Sequence, residues 1–162
     1  MNDIRPAVSV ICTTYNAEDT IEEVLDSLVR QSENSFEVVL VDDGSADSTP
    51  DLLERWADSD DRIYLVRSAH IGRSAALNRG LSESRGNYIA IIDADDPSHP
   101  QRLALQKSML RESDFAVIGS DVRYLSDNER PDWGDVELCG IEDVTGSLTY
   151  FNPLSFLPIC KI

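Results

Sequence analysis

Three short apolar runs constrain the fold more than any other feature of this chain. They are Ala7-Val8-Ser9-Val10-Ile11-Cys12, Phe36-Glu37-Val38-Val39-Leu40-Val41 and Tyr88-Ile89-Ala90-Ile91-Ile92. Each is short, rich in β-branched residues and bounded by polar residues, which suits a strand covered on both faces. Each also runs straight into a polar turn: Thr13-Thr14-Tyr15-Asn16, Asp42-Asp43-Gly44-Ser45 and Asp93-Ala94-Asp95-Asp96.

Helical patterns separate the strands. Ile21, Val24, Leu25, Leu28 and Val29 recur at helical spacing. Asp19 or Thr20 is placed to cap that helix, and Glu22 and Glu23 sit near the positive end of its dipole. Asp47-Ser48-Thr49-Pro50 opens a second helix with proline early, and Leu52, Leu53 and Trp56 form its inner face. Ile63-Tyr64-Leu65-Val66 reads as another strand. The loop His70–Ser74 leads into a helix whose packing face is expected at Ala75, Ala76, Leu77 and Leu81, with Gly86 as its C-cap. After Pro97-Ser98-His99-Pro100 a helix is expected over 101–111. Phe115–Ser120 reads as a further buried strand, with Val122–Leu125 extending it or pairing beside it. Residues 127–135 read as a loop and Glu142–Leu148 as a helix. Phe151–Ile162 reads as an apolar strand, which if exposed would offer an edge for pairing between chains.

This alternation implies an α/β protein with a mostly parallel sheet and helices on both faces. Right-handed crossovers then bring the ends of the first, second and Asp93 strands to one edge of the sheet. Open α/β sheets bind ligands in the crevice at that edge.

The Asp93–Asp96 turn carries three carboxylates. Like charges this close repel unless a cation or hydrogen-bond donors offset them. Hard oxygen ligands suit Mg²⁺ or Mn²⁺; the alternative is a turn in which an aspartate caps the next helix. His70 and His99 are too far apart to suggest a metal site, and Cys12, Cys139 and Cys160 match no zinc spacing. Cys12 reads as a small core residue.

The formal charge is −16, from 30 acidic and 14 basic residues, which disfavours nonspecific binding to nucleic acid or anionic lipid. A phosphorylated ligand would need a metal and local arginines to offset that field. No apolar run reaches membrane-spanning length, and no signal-peptide pattern opens the chain. A cytoplasmic placement is expected, peripheral to the inner face of the cell membrane in a full-length protein.

The segments Val8–Asn16, Val41–Ser45, Gly72-Arg73-Ser74-Ala75-Ala76-Leu77-Asn78-Arg79-Gly80 and Gly86–Ile89 leading into Asp93–Asp96 resemble, in that order and spacing, the family 2 glycosyltransferases of the GT-A fold. Ser98-His99-Pro100-Gln101-Arg102-Leu103 is similar to the segment that comes next in many members. The resemblance covers about residues 7–126, and more faintly 152–162. It implies a three-layer α/β/α, Rossmann-like GT-A domain that occupies residues 1–162 and is incomplete at its C-terminus. It also implies inverting transfer of a sugar from a nucleotide-diphosphate sugar, most simply a UDP-sugar, to an acceptor hydroxyl on a glycan or lipid-linked glycan.

By that resemblance Thr13 and Tyr15 line the base pocket, and Asp43 accepts a hydrogen bond from a uracil-like N3–H. Helix capping is the other use for Asp42 or Asp43. Gly72, Arg73 and Asn78 fall near the ribose and phosphates, where the Arg73 guanidinium would offset phosphate charge; a solvated surface arginine is the alternative. Asp93, Ala94 and Asp95 form the DXD segment, with Asp95 on the metal and Asp93 on ribose, metal or metal-bound water. Asp96 is expected to cap the segment after it. His99 either serves the site or packs under the proline-rich turn. The family's catalytic base falls beyond the apolar strand that 151–162 begins, so it is expected past Ile162, and this chain is then the donor-binding part.

Val41-Asp42-Asp43 is also similar to the acidic cluster of Mg²⁺-binding receiver domains, but those need a late lysine at a strand end. The lysines here are Lys107, expected on a helix, and Lys161. A nucleotidyltransferase needs a glycine-rich basic loop after the first strand, and residues 13–18 lack glycine and lysine. A non-catalytic nucleotide-binding domain of the same fold stays open.

Overall fold

The computed structural model describes residues 5–114, 116–119 and 159–161. The elements run β1 (Val8–Thr14), α1 (Ile21–Val29), β2 (Phe36–Asp42), α2 (Thr49–Ser59), β3 (Ile63–Arg67), α3 (Arg73–Glu83), β4 (Tyr88–Asp93), α4 (Arg102–Glu112), β5 (Val117–Ile118) and β6 (Ile159–Lys161). The sheet order is β3-β2-β1-β4-β6-β5. The first four of these strands are mutually parallel, and β6 is antiparallel to both β4 and β5.

Register levels the strand ends. Thr13 pairs with Asp93, and Thr14 pairs with Asp42. The ladder continues past the strands, because the Asp43 amide donates to the Thr14 carbonyl at 2.8 Å. The three polar turns therefore leave the sheet side by side.

Strand alternation explains the layers. Val8, Val10 and Cys12 of β1 join Val38, Leu40, Ala90 and Ile92 in one core with Leu25 and Leu28 of α1, Leu53 of α2 and Leu103 and Leu110 of α4. Burying each such aliphatic side chain contributes roughly 1.5–3 kcal/mol. On the other face Val39, Val41 and Val66 pack with Ala76 of α3. Helices cover both faces, as the alternation implies.

The packing face of α3 differs from expectation. Ala76 and Gly80 are its buried residues, whereas Ala75 and Leu81 are exposed. A Cβ on Gly80 would stand 2.5 Å from the Ile11 side chain, so the helix lies too close to the sheet there for a larger residue. Gly86 is not the C-cap; Ser84 holds that place in an extended conformation. Gly86 instead lies against β1, where a Cβ would meet the Ser9 nitrogen at 2.5 Å and the Val8 carbonyl carbon at 2.7 Å. Its amide donates to Ser9 Oγ at 2.8 Å.

Other expectations shift locally. Thr20 is the N-cap of α1 but makes no side-chain capping bond. Pro50 stands at the start of α2 as expected. Of the expected Phe115–Ser120 buried strand, only Val117–Ile118 among the described residues form a strand, with Ile118 buried and Val117 exposed. Residues 159–161 lie between β4 and β5 rather than at an open edge. Val122–Leu125, 127–135, Glu142–Leu148 and 151–158 lie outside the described residues.

Candidate functional site

The three strand ends and the start of α3 enclose a cavity of about 490 Å³. Thr13, Thr14, Tyr15 and Asn16 line it from β1, and Ala17 and Thr20 from the approach to α1. Asp43 lines it from β2, His70 and Arg73 from the segment entering α3, and Asp93, Ala94 and Asp95 from β4. Of the residues expected near the ribose and phosphates, Gly72 and Asn78 do not line the cavity; Asn78 is exposed on α3.

The first two turns are stitched together. The Asn16 side chain accepts from the Ala46 amide at 2.8 Å, and the Asn16 amide donates to Ser45 Oγ at 2.9 Å. Asn16 adopts a φ of 50°, which asparagine tolerates better than most residues. The Asp42 carboxylate accepts from the Ser45 amide and hydroxyl, closing its own turn. The start of α2 is instead met by Asp47, which accepts from the Thr49 amide, and by Glu18, which accepts from the Ser48 amide.

Asp43 caps at a distance. Its buried carboxylate accepts from the amides of Ile71 (2.7 Å) and Gly72 (2.8 Å), the latter being the N-cap of α3, and from Ser68 Oγ (3.2 Å). His70 Nδ1 lies 3.1 Å from the Asp43 carbonyl and 3.2 Å from its carboxylate. Burial works to raise the Asp43 carboxyl, but the two amides, the Ser68 hydroxyl and His70 together hold it below the ordinary carboxylate value. The backbone permits this closeness at Gly44, where φ is 79° and a Cβ would meet the His70 nitrogen at 2.8 Å.

Above Asp43 the rings of Tyr15 and His70 stack, with centroids 4.2 Å apart and planes 28° from parallel. Tyr15 is 50% exposed, so part of the cavity lining is an open aromatic surface. In the same lining Arg73 Nη2 donates to Asp93 Oδ1. Asp95 is exposed beyond this pair, and the Asp96 amide closes a turn onto the Asp93 carbonyl. Burial, then Asp95 and Asp93, raise the Asp96 carboxyl, while Arg102 opposes them. Beneath the floor, burial pushes the Cys12 thiol up to about 12, with Asp93 and Asp95 adding to it. It is the inert core residue expected.

Among the described residues no three His, Cys, Asp or Glu side chains converge as a metal cage. Asp93 and Asp95 supply hard oxygens beside an open cavity. That donor set suits a Mg²⁺-like ion held by one or two carboxylates, with water and ligand phosphates completing its shell.

His99 packs rather than lining the cavity. Its Nδ1 accepts from the Gln101 amide, its carbonyl accepts from Gln31 Nε2, and burial lowers its imidazole pKa. Sequence reasoning placed Asn16 in the crevice with its turn but missed His70, Ala17 and Thr20. Only the position of His70, two residues before Gly72-Arg73 on one loop, could have pointed to it.

A doubly covered α/β sheet with an acidic, partly aromatic cavity at its strand ends is the frame of a domain that binds ligands at the carboxyl ends of its strands. A family model described as Glycosyl transferase family 2 matches residues 9–156, and the chain belongs to that family. It is 36% identical over 132 residues to the putative teichuronic acid biosynthesis glycosyltransferase TuaG of Bacillus subtilis, covering 81% of this chain and 52% of TuaG. Its structure is similar to that of a mannosyltransferase from Pyrobaculum calidifontis in complex with GDP-Man and Mn²⁺, with TM-score 0.64 and 34% identity. That match covers 75% of this chain and 37% of the other. It is also similar to S. aureus TarS 1-349 in complex with UDP-GlcNAc, with TM-score 0.67 and 27% identity over 76% of this chain and 36% of that one. The chain thus spans about half or less of the length of these relatives.

Proposed function

We propose that residues 1–162 form the donor-binding domain of a metal-dependent, inverting glycosyltransferase that takes a UDP-sugar and acts in polysaccharide or glycolipid synthesis. The observation that carries this reading is a cavity lined both by the stacked Tyr15 and His70 rings and by Arg73, hydrogen-bonded to Asp93, with Asp95 in the same lining. A nucleotide diphosphate asks for both kinds of lining: a surface for its flat base and polar groups for its two phosphates.

The open face of the Tyr15 ring, backed by His70, stacks on the base, and Thr13 offers a hydroxyl beside it. Asp43 holds the 68–72 segment in place, and through its remaining acceptor capacity meets the base N–H. Arg73 leaves Asp93 to bind a phosphate oxygen, which frees Asp93. Asp95 and Asp93 hold a Mg²⁺ or Mn²⁺, with Ala94 giving the sugar-nucleotide room between them; the ion when bound neutralises charge on the departing diphosphate. Asn78, on the solvent side of α3, has no part in this arrangement. An acceptor hydroxyl attacks the anomeric carbon from the face opposite the diphosphate and yields its proton to a carboxylate base. None of the described cavity carboxylates is assigned that task.

The placement proposed is cytoplasmic, against the inner face of the membrane; among the described residues no helix is long and apolar enough to cross one. The test is calorimetric titration of UDP with Mn²⁺ and with EDTA, beside Asp95→Ala. Metal-dependent binding that the variant loses is expected. GDP binding better than UDP would shift the donor class, and no nucleotide binding under either condition would overturn the reading.

A further inference from the structure

Arg102, the first residue of α4, lies on the buried side of the acidic turn and is 5% exposed. Its Nη2 donates to the Ile91 carbonyl in β4 at 2.9 Å, its Nη1 to Ser98 Oγ at 3.0 Å and its Nε to Gln106 Oε1 at 3.2 Å. Ile91 precedes and Ser98 follows the stretch that carries Asp93, Ala94 and Asp95. One rigid, planar group therefore joins the entry and exit of the acidic turn and anchors both to α4.

The far side of the turn is held as well. The Ser98 amide donates to Ser27 Oγ at 2.8 Å, and Gln31 bridges the His99 carbonyl and the Leu103 amide. Burial lowers the Arg102 pKa to about 10, opposed by Asp96, so the group stays a cation at neutral pH. A buried cation is unfavourable unless its hydrogen bonds and charges are met. Here the charge it meets is that of Asp96, in the turn itself.

We infer that Arg102 is a positioning residue of the donor site: by joining Ile91 and Ser98 through one guanidinium it sets where Asp93 and Asp95 stand, without touching the ligand. This rests on the reading of the cavity as a metal-dependent nucleotide-sugar site. Lysine does not replace it, because one ammonium cannot span the two ends of the turn in a fixed plane.

The test uses Arg102→Lys and Ser98→Ala, with Leu110→Ala as a destabilised control in the same helix. The first measurement is hydrogen exchange of the ligand-free protein. In Arg102→Lys the amides of 93–96 and Ser98 are expected to exchange about tenfold faster relative to those of β1, with a smaller rise in Ser98→Ala. The second is the ratio of UDP affinity with Mn²⁺ to that with EDTA. It is expected to fall about fivefold or more in Arg102→Lys and to hold in Leu110→Ala, because a general loss of stability acts on both conditions alike. Exchange at 93–96 and Ser98 that rises only in step with the rest of the chain would overturn the inference. If the wild-type protein shows no metal-dependent binding, the functional reading fails, and the exchange data alone still decide the role of Arg102.

Discussion

Arg73, in the first turn of α3, donates a hydrogen bond to Oδ1 of Asp93 at the end of β4, with its side chain still 62% exposed. An ion pair this open is worth no more than about 1 kcal/mol, so it holds the two groups together without locking them. The pair joins the group suited to phosphate with a group suited to metal. Arg73→Ala should raise the affinity for Mn²⁺ alone by up to about fivefold, since Asp93 is released. It should lower UDP affinity in the presence of Mn²⁺ by about tenfold, through loss of a charge-assisted bond to phosphate. Calorimetry of both ligands decides; shifts in the same direction would count against the pairing as a shared site.

Tyr15 stacks on His70 at 4.2 Å with half its surface open. Removing an exposed ring leaves the fold nearly unchanged, whereas losing a stacking surface for a base weakens binding by about 1–3 kcal/mol. Tyr15→Ala should therefore bind UDP at least about fivefold more weakly, at an unchanged midpoint of urea unfolding. Equal UDP affinity in the variant would place the base elsewhere.

The strand ends were legible because β-branched runs that break into Asp or Thr turns carry their direction in the sequence. Alternation then sufficed to bring Thr13, Asp43 and Asp93 to one edge, where the register sets Thr13 against Asp93. The errors have a common source in contacts between distant segments. Gly86 looked like a helix cap because glycine commonly ends helices; its actual constraint is the Ser9 backbone, far away in sequence. Leu81 looked like core, but the close approach of Gly80 to Ile11 turns Leu81 outward. For Asp43, expected to meet a base N–H, local capping was the alternative; its carboxylate instead reaches the distant Ile71 and Gly72 amides. Periodicity reports which residues share a face, not which distant backbone arrives beside it.

The two kinds of glycine constraint can be separated by experiment. At Gly86 an added Cβ would meet backbone atoms 2.5 and 2.7 Å away, so β1 and β4 must part. Gly86→Ala should destabilise by about 2–4 kcal/mol, as overpacking against a backbone that cannot yield does. At Gly72 nothing lies within 4 Å, and the only strain is a φ of 86° with a ψ of 152°, an almost glycine-only conformation that costs about 1–3 kcal/mol for a residue with a Cβ. Urea unfolding of both variants should rank them in that order, and the reverse order would refute the close-approach argument.

Asp43 sets a pH dependence whose direction is fixed by its hydrogen bonds. Its carboxyl titrates in the folded protein below its ordinary value of 3.8. The folded state therefore binds the proton less readily than the unfolded chain, and stability from this group is fully present above that value. It is lost as pH falls from about 4 through the lower folded pKa. Asp43→Asn keeps the size but replaces one acceptor oxygen with a donor facing the Gly72 or Ile71 amide, at a cost of about 1–3 kcal/mol at pH 7. The gap between wild type and variant should then narrow as the wild-type carboxylate is itself protonated. Urea unfolding at pH 7 and at steps down to pH 3 measures that gap. A gap that stays constant across the series would mean that the charge of Asp43 contributes nothing and that only the shape of the 68–72 segment matters.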